Sequence, residues 1–273
     1  MILKEDGIHM SDKVWILGPC SMENEHLYLK CAEELTKFMD GRDWYYKASF
    51  DKANRTAVDG GRGPGIDESL RLMEKVREEF PGIRLTTDIH ECHQAKLIAD
   101  QGVELCQIPA FLCRQTDLLI ESGKCFDKVN IKKGQWINPD STKHFVGKVK
   151  AENPDCEVWI TERGTFFGYN QLIVDFGAAE EMSKHYDRVI LDCTHSTQRK
   201  KGDFTGGDRE LAAKYMIASL AYEYSGIFAE CHPEPRKAVS DGDCQLYLDK
   251  VENLIKTYDE VEKVLATQKW LSS

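Results

Sequence analysis

The sequence predicts a single-domain (β/α)8 barrel, and two observations lead to that fold class. Eight short runs rich in β-branched and aromatic residues alternate with amphipathic helical stretches. No Pro-, Gly- or Ser-rich linker interrupts them, and a length of 273 residues suits one such barrel. We therefore expect one domain over residues 1–273, with 1–13 as an N-terminal extension. A doubly wound open sheet is the alternative, because strand order cannot be read from a sequence.

The elements follow one another in the order that a barrel requires. The predicted strands are Val14–Leu17, Trp44–Ala48, Arg84–Thr87, Leu105–Ile108, Lys128–Ile131, Val158–Thr161, Val189–Asp192 and Gly226–Glu230. Helical periodicity is clearest in Glu25–Met39, Asp67–Phe80, Gln94–Asp100, Thr142–Ala151, Ala178–His185, Asp208–Tyr224 and Tyr247–Thr267. Since the strands of a barrel are parallel, the residues that follow them gather at one rim, where barrel enzymes build their active sites.

Composition and charge argue against several classes of protein. A net charge of −10 disfavours broad nucleic-acid binding, which needs an extended basic surface. No apolar run approaches the ~18 residues of a membrane span, and the first residues, MILKEDGIHMSDK, do not resemble a signal peptide. The ten cysteines include no CxxC pair, which indicates reduced thiols. We expect a cytoplasmic enzyme or binding protein.

Nearly every predicted strand is followed by a charged, metal-ligating or amide side chain. In strand order these are Cys20; Lys47, Lys52 and Arg55; Asp88 and His90; Gln107; Lys132 and Lys133; Glu162 and Arg163; His195; and Glu230 and His232. A purely structural barrel would carry a mixture of turn residues at these positions. The pattern therefore favours a catalytic rim over a structural or merely sugar-phosphate-binding barrel.

A cluster of cations is the first candidate site. The stretch Tyr46–Arg55 places Lys47, Lys52 and Arg55 at the exit of a buried strand, with Asp51 as its one carboxylate. This pattern favours a small polyanion that carries phosphate or carboxylate groups. An ordinary basic loop is the alternative for this stretch alone.

Lys132 and Arg163 follow two further strands and extend the cluster. Cations that converge at a barrel mouth repel one another unless an anion or facing carboxylates neutralise them. Glu162 and Asp88 supply part of that charge, and the excess predicts a phosphorylated or carboxylated substrate. A Schiff-base aldolase that uses Lys132 is an alternative, because a buried lysine with a lowered pKa is a nucleophile.

Cys20, His195, Glu230 and Asp241 form the second candidate site, for a divalent metal ion. They come from the first, seventh and eighth strand exits and the loop beyond. A mixed set of thiol, imidazole and carboxylates suits a borderline ion such as Zn²⁺, Fe²⁺ or Mn²⁺. The four residues lie far apart in the sequence, so their spacing does not support a metal site. Outside a barrel, a lone Cys or His is more often structural.

Eight segments resemble, in order, the family of 3-deoxy-D-manno-octulosonate 8-phosphate synthases. They are GPCSMEN (18–24), KASFDKANR (47–55), TTDIHE (86–91), QIPAFLCRQTDLL (107–119), VNIKKGQ (129–135), TERGTFFGYNQLIVD (161–175), DCTHSTQ (192–198) and ECHPEPRKAVSDGDCQL (230–246). GPC, ERG and HPEP…SDG are shared with the related 3-deoxy-D-arabino-heptulosonate 7-phosphate synthases. KANR, PAFLCRQTD and NIKKGQ are similar to the octulosonate branch.

The resemblance implies a (β/α)8 barrel in a homotetramer that condenses phosphoenolpyruvate with D-arabinose 5-phosphate and releases inorganic phosphate. Carbon 3 of phosphoenolpyruvate attacks the aldehyde while water adds at carbon 2. The product would serve lipopolysaccharide or a related surface glycan. The alternative is the same chemistry on another phosphorylated aldose, such as erythrose 4-phosphate.

Matching positions imply roles for individual residues. Phosphoenolpyruvate would be held by Lys47, Lys52, Gln107, Lys132 and Arg163. Asn54 and Arg55 would hold the sugar, Thr56 keeps a hydroxyl for its phosphate, and Arg114 would reach that phosphate from a neighbouring subunit. Ser49 is expected to be a further substrate-binding residue. The residues expected to take part in catalysis are Lys47, Lys52, Lys132, His195 and Asp241.

The first motif also decides the expected cofactor. The family has metal-dependent and metal-independent members, which carry Cys or Asn at that position. Cys20 makes this chain similar to the metal-dependent class, with one divalent ion per subunit held by Cys20, His195, Glu230 and Asp241. Such an ion can orient the aldehyde or lower the pKa of a water molecule.

Three segments depart from the family pattern, chiefly on the side of the aldose. Thr56-Ala57 replaces two serines, and Gly60-Gly61 replaces a serine and an aromatic residue, which loosens the loop beside the sugar. The stretch RKKGDFT (199–205) is unusually basic. It is expected either to act as a mobile lid over the phosphates or to be solvated.

Overall fold

The computed structural model describes residues 13–54, 60–166, 169, 171–201, 204–222 and 224–267. Its strands are β1 (Val14–Gly18), β2 (Trp44–Lys47), β3 (Leu85–Asp88), β4 (Leu105–Ile108), β5 (Lys128–Lys132), β6 (Glu157–Glu162), β7 (Arg188–Asp192), β8 (Arg199–Lys201), β9 (Phe204–Gly206), β10 (Gly226–His232) and β11 (Leu246–Tyr247). Its helices are α1 (Glu25–Met39), α2 (Ile66–Glu79), α3 (Cys92–Asp100), α4 (Thr116–Cys125), α5 (Lys143–Val149), α6 (Ala178–Ser183), α7 (Arg209–Ala218) and α8 (Leu248–Ala266).

Strands β1 to β7 and β10 close into a parallel barrel. The first seven pair in chain order, β10 follows β7, and β10 pairs back onto β1. That closing pair runs from Val14 opposite Gly226 to Gly18 opposite Glu230. It confirms the (β/α)8 barrel and excludes the open sheet. The domain limits stay a prediction, because residues 1–12 and 268–273 lie outside the described part of the chain.

The eight predicted barrel strands are confirmed to within two residues at each end, but one helix differs. α7 ends at Ala218, short of the predicted Tyr224, and a single 3-10 turn over Ser219–Ala221 follows. Tyr222 then stacks on Phe176 with ring centroids 5.0 Å apart. This tertiary contact prevails over the local helical pattern. Among the described helices, none combines the length and apolar character that crossing a bilayer requires.

The barrel interior has an apolar lower layer and a polar upper layer. The lower layer, here called the apolar plug, consists of Val14, Ile16, Tyr45, Leu105, Trp159, Ile190 and Phe228. Because successive side chains of a strand point to opposite faces, the next inward position on each strand is two residues further along. Those positions carry the buried residues Lys47, Gln107, Thr161, Asp192 and Glu230. The predicted rim is therefore a buried polar layer that rests on the apolar plug.

Two helical glycines allow the packing of the outer layer to be tested. A Cβ added to Gly123 in α4 would lie 1.9 Å from Val149 O of α5, whereas a Cβ on Gly147 would meet nothing within 4 Å. Gly123→Ala is expected to lower the free energy of unfolding by about 1–3 kcal/mol, because the two helices must separate. Gly147→Ala should raise it by about 0.5–1 kcal/mol, since alanine is the better helix former. Denaturant unfolding followed by circular dichroism measures both, and changes of the same sign would contradict this packing.

Candidate active site

Two buried lysines of the polar layer are each paired with a carboxylate from a different strand. Lys47 Nζ lies 2.8 Å from Glu230 Oε1, and Lys132 Nζ lies 2.6 Å from Asp192 Oδ2. The carboxylates expected to neutralise the cations have other direct partners: Glu162 pairs with Lys133 at 3.2 Å, and Asp88 pairs with His90 at 2.9 Å. The rim thus contains matched charges rather than cations alone.

Lys52 and Arg163 differ, because no ion pair of theirs occurs within the described ranges. Lys52 Nζ donates to Ser49 Oγ at 3.0 Å. Arg163 Nη2 donates to Gln198 Oε1 at 2.6 Å, and Nη1 is buried without a hydrogen-bond partner. Burial alone would lower the pKa of Lys52, but the negative groups around it raise it above its ordinary value. These two cations are therefore available to an anionic ligand.

Several buried polar atoms at this end of the barrel lack a hydrogen-bond partner among the described residues. They are Asp88 Oδ1, His90 Nδ1, Gln107 Oε1, Asn130 Nδ2, Gln135 Oε1, Arg163 Nη1, Glu230 Oε2 and His232 Nε2. Native proteins leave few buried polar groups unpaired. Their concentration at one end of the barrel indicates a site built for a polar ligand.

The four predicted metal ligands converge beside the cations. Ligand atoms of Cys20, Glu230 and Asp241 all lie within 4.8 Å of one another, with Cys20 Sγ 3.4 Å from Asp241 Oδ2. His195 Nε2 lies 3.5 Å from Glu230 Oε2 and 4.0 Å from Asp241 Oδ2. A tetrahedral ion with bonds of about 2.0–2.3 Å separates its donors by roughly 3.3–3.8 Å. The donors of Cys20, Glu230 and Asp241 form one group, and His195 Nε2 lies near its two carboxylates. The chemistry of these donors therefore fits a divalent ion.

The orientation of His195 depends on Asp192. His195 Nδ1 lies 2.7 Å from Asp192 Oδ2, and Asp192 Oδ1 also accepts from the backbone N–H of His195 at 2.9 Å. Burial would raise the pKa of Asp192, but His195 and Lys132 hold it well below its ordinary range. A carboxylate on one imidazole nitrogen directs the other nitrogen towards a metal, as in many metal sites.

The loop that carries Cys20 is fixed by a glycine and a glutamine. Gly18 has a φ of +153°, and an added Cβ would lie 2.0 Å from Lys47 O, so only glycine lets β1 pass this close to β2. Cys20 N donates to Gln245 Oε1 at 3.2 Å, and Gln245 Nε2 donates to Ser240 O at 2.9 Å. Gln245 thereby ties the Cys20 loop to the loop that carries Asp241.

Burial shifts the pKa values of two groups in the site. It raises the pKa of the Cys20 thiol well above its usual value, and the charge of Glu230 adds to this effect. It lowers the pKa of Lys132 to about 8, despite the contact with Asp192. Lys132 Nζ also stands over the Phe228 ring of the apolar plug, 3.0 Å from its centroid.

The remaining predicted substrate-binding residues are only partly described. Ser49 is buried beside Lys52, and Asn54 is exposed, whereas Arg55 and Thr56 lie outside the described residues. Arg114 is exposed in the loop after β4, and no described contact joins its side chain to the cluster.

The structure describes parts of two segments that depart from the family pattern, at Gly61 and in the basic stretch. A Cβ on Gly61 would lie 2.5 Å from Val239 Cγ1, so the loop after β2 contacts the loop after β10 at this position. Of the basic stretch, residues 199–201 form β8 and 204–205 begin β9, and Arg199 pairs with Asp208 at 3.2 Å. Residues 202–203 and the side chains of 200, 201, 204 and 205 lie outside the described part of the chain, so the lid stays a prediction.

Sequence reasoning assigned no role to Asp192, Gln198 and Gln245. Asp192 could have been found, because it ends the buried run of β7 and alternation points it inward. Gln198 and Gln245 lie in loops, where no periodic pattern reveals the direction of a side chain.

The sequence is also similar to known proteins over nearly its whole length. A family model described as the DAHP synthetase I family matches residues 4–267. Three relatives are each named 2-dehydro-3-deoxyphosphooctonate aldolase. The protein of Fusobacterium nucleatum is 42% identical over 256 residues, which cover 92% of this chain and 91% of the relative. The protein of Campylobacter jejuni is 39% identical over 274 residues, which cover 95% of this chain and 100% of the relative. The protein of Citrifermentans bemidjiense is 41% identical over 254 residues, which cover 92% of this chain and 92% of the relative.

Both kinds of match extend over the barrel and over the loops that carry the candidate residues. They confirm the resemblance that the motifs indicated. With nearly its whole length matched, the chain belongs to the DAHP synthetase I family.

Proposed function

We propose that this enzyme condenses phosphoenolpyruvate with D-arabinose 5-phosphate to give 3-deoxy-D-manno-octulosonate 8-phosphate and inorganic phosphate. The observation that carries the proposal is the juxtaposition, in one barrel mouth, of two cations and a set of metal donors. The cations, Lys52 and Arg163, have no carboxylate partner among the described residues. The donors are a thiol and two carboxylates, with the imidazole of His195 beside the carboxylates. The name of the relatives supports it, since a dehydro-deoxy-phosphooctonate is an eight-carbon acid phosphate of this kind.

Phosphoenolpyruvate is the ligand that the cations accommodate best. Its phosphate and carboxylate are anions held a few bonds apart, and both require donors that carboxylates have not already taken. Lys52 and Arg163 meet that requirement, and Gln107 adds a buried amide whose NH2 group can donate to the anion. Lys47 and Lys132 add positive charge that is partly compensated by Glu230 and Asp192. We assign phosphoenolpyruvate to these five residues.

The condensation forms a carbon–carbon bond and releases phosphate. Carbon 3 of phosphoenolpyruvate attacks the aldehyde carbon, water adds at carbon 2, and the bond from carbon 2 to the phosphate oxygen breaks. Negative charge then accumulates on the departing phosphate, where fixed cations such as Lys52 and Arg163 stabilise it. From the resemblance, Asn54 and Arg55 are assigned to the sugar and Thr56 to its phosphate, and Ser49 is a further substrate-binding residue.

We further propose that Cys20, His195, Glu230 and Asp241 hold one divalent ion, such as Zn²⁺, Fe²⁺ or Mn²⁺. When bound, the ion would act as a Lewis acid in the barrel mouth. The chain's own contribution is to hold the donors in place. Lys47 binds Glu230 Oε1 and leaves Oε2 free, while Asp192 holds the ring of His195.

We propose a cytoplasmic homotetramer in which Arg114 reaches the sugar phosphate of a neighbouring subunit. Next to Arg114, Phe111 and Trp136 are 55% and 48% exposed and contact each other with ring centroids 5.7 Å apart, which supports an interface there. All ten cysteines are free, which supports a reducing compartment. A fully active monomer in sedimentation experiments would contradict the shared site.

The choice of aldose is tested by phosphate release. With phosphoenolpyruvate and divalent ion supplied, D-arabinose 5-phosphate should give turnover, and erythrose 4-phosphate should give far less. Activity with erythrose 4-phosphate alone would replace the proposal by the heptulosonate alternative. Borohydride trapping of substrate on Lys132, identified by peptide mass, would instead favour a Schiff-base aldolase.

Metal dependence is tested by chelation and by one substitution. Exhaustive chelation should abolish turnover, and added divalent ion should restore it. Cys20→Ala should weaken metal binding by at least about 100-fold, because it removes a ligand outright. Cys92→Ala, at an exposed cysteine of α3, should bind metal as the native chain does. Metal content and phosphate release measure the outcome, and full activity after chelation would refute the claim.

Phosphoenolpyruvate binding should weaken as the pH rises through the pKa of Lys132, which is about 8. Above that pH the amine loses its proton and the site loses one positive charge. The affinity should fall by up to about tenfold per pH unit. Lys132→Met should bind more weakly at pH 7 and show a flatter profile between pH 7 and 9. Calorimetric titration measures both profiles, and parallel profiles would exclude Lys132 as the titrating group.

A further inference from the structure

We propose that Gln198 is a positioning residue that couples the anion-binding Arg163 to the metal-binding Asp241. No sequence motif assigns a role to Gln198. The inference rests on the proposed function, since it takes Arg163 as a phosphoenolpyruvate ligand and Asp241 as a metal ligand. It adds that the two sites depend on one amide side chain.

The amide of Gln198 bridges the two residues directly. Gln198 Oε1 accepts a hydrogen bond from Arg163 Nη2 at 2.6 Å, and Gln198 Nε2 donates to Asp241 Oδ1 at 2.7 Å. A guanidinium only donates and a carboxylate only accepts, so the chemistry of the partners fixes which end of the amide faces which residue. Residues 163, 198 and 241 thus form one continuous chain of hydrogen bonds.

The backbone of Gln198 is also held on both sides. Its N–H donates to His195 O at 3.1 Å and ends the 3-10 turn that carries His195. Its carbonyl accepts from Leu172 N at 3.2 Å, in the loop that follows β6. The side chain therefore extends from a fixed base, and a displacement of Arg163 is transmitted to Asp241 rather than absorbed by the loop.

Glutamine is the side chain that this position requires. Glutamate would keep the acceptor for Arg163 but would place a negative charge against Asp241, and asparagine is one methylene too short to span both partners. An aliphatic side chain would leave Arg163 Nη2 without its acceptor, and Nη1 of the same guanidinium already has no hydrogen-bond partner among the described residues. Two unpaired buried donors would then destabilise the orientation of Arg163.

The consequence is a linkage between anion and metal. An anion that binds Arg163 fixes the guanidinium, the guanidinium fixes Gln198, and Gln198 restrains one oxygen of Asp241. Ser240 Oγ donates to the other oxygen, Asp241 Oδ2, at 2.7 Å. Because linkage is reciprocal, metal should tighten phosphoenolpyruvate binding by the same factor by which phosphoenolpyruvate tightens metal binding.

The test measures that factor by binding, without turnover. Co²⁺ is titrated into metal-free protein and followed by its visible absorption, with and without phosphoenolpyruvate. Phosphoenolpyruvate is titrated by calorimetry, with and without Co²⁺. In the native chain each ligand should raise the affinity for the other by at least about fivefold. In Gln198→Met the factor should fall to near one, and the Co²⁺ spectrum should no longer respond to phosphoenolpyruvate.

Two further variants separate coupling from general damage. Gln171→Met changes an exposed glutamine that pairs with Arg199 through the backbone, and it should retain the native factor. Gln198→Glu keeps the acceptor for Arg163 but loses the donor to Asp241. It should bind phosphoenolpyruvate more weakly than the native chain in the absence of metal, because a carboxylate then pairs with Arg163, and it should show little coupling.

The outcomes distinguish this inference from the proposed function. The role of Gln198 would be overturned if neither ligand tightens the binding of the other in the native chain, or if Gln198→Met keeps the native coupling factor. Either result would leave the proposed function intact. A native chain that binds no Co²⁺, or Co²⁺ binding that survives in Cys20→Ala, would instead contradict the metal site of the proposed function.

Discussion

The two buried ion pairs, Lys47 with Glu230 and Lys132 with Asp192, are the interactions on which the rest of the site depends. They lie on the apolar plug, where an unpaired charge would be destabilised by several kcal/mol, so each charge requires its partner. The same two carboxylates have a second task. Glu230 belongs to the candidate metal donors, and Asp192 orients His195. The charge balance of the lysines and the geometry of the metal donors are therefore one arrangement.

This arrangement explains why the barrel mouth suits an anion beside a cation. With Lys47 and Lys132 compensated within the protein, Lys52 and Arg163 remain for a ligand, and the donor set of Cys20 lies beside them. The opposite end of the barrel is closed by ion pairs of another kind. Arg84 contacts Asp43 at 2.7 Å and Arg188 contacts Glu157 at 3.6 Å. Those pairs are partly exposed and surround the lower edge of the apolar plug. Structural and chemical roles are thus separated along the barrel axis, as in barrel enzymes generally.

Gln198 adds a constraint that neither cluster shows when considered alone. Arg163 follows β6, Gln198 follows β7, and Asp241 follows β10, so one amide joins three loops. If the rim is joined in this way, substrate and metal act on each other through a few hydrogen bonds rather than through a change of fold.

Much of the fold could be predicted, because its signals are local. Runs such as VWIL in β1 and VIL in β7 are short, apolar and rich in β-branched or aromatic residues, which favours strands. The helices between them carry their own periodicity. Once a barrel is inferred, parallel strands bring their ends to one rim, which is why Cys20, His195, Glu230 and Asp241 could be grouped although spacing gave no support. The family motifs then gave these positions a chemistry.

What the sequence determined by itself was the order of the elements, the barrel class and the residues offered at each strand end. Only the tertiary structure decided which charges pair, so that Asp192 compensates Lys132 and Glu162 compensates Lys133. It also decided that Gln198 and Gln245 bridge loops and that α7 stops at Ala218. The physical reason is that a periodic pattern records which face of an element is buried. A hydrogen bond between residues 163, 198 and 241 depends on where three separate loops meet, and no stretch of the chain encodes that alone.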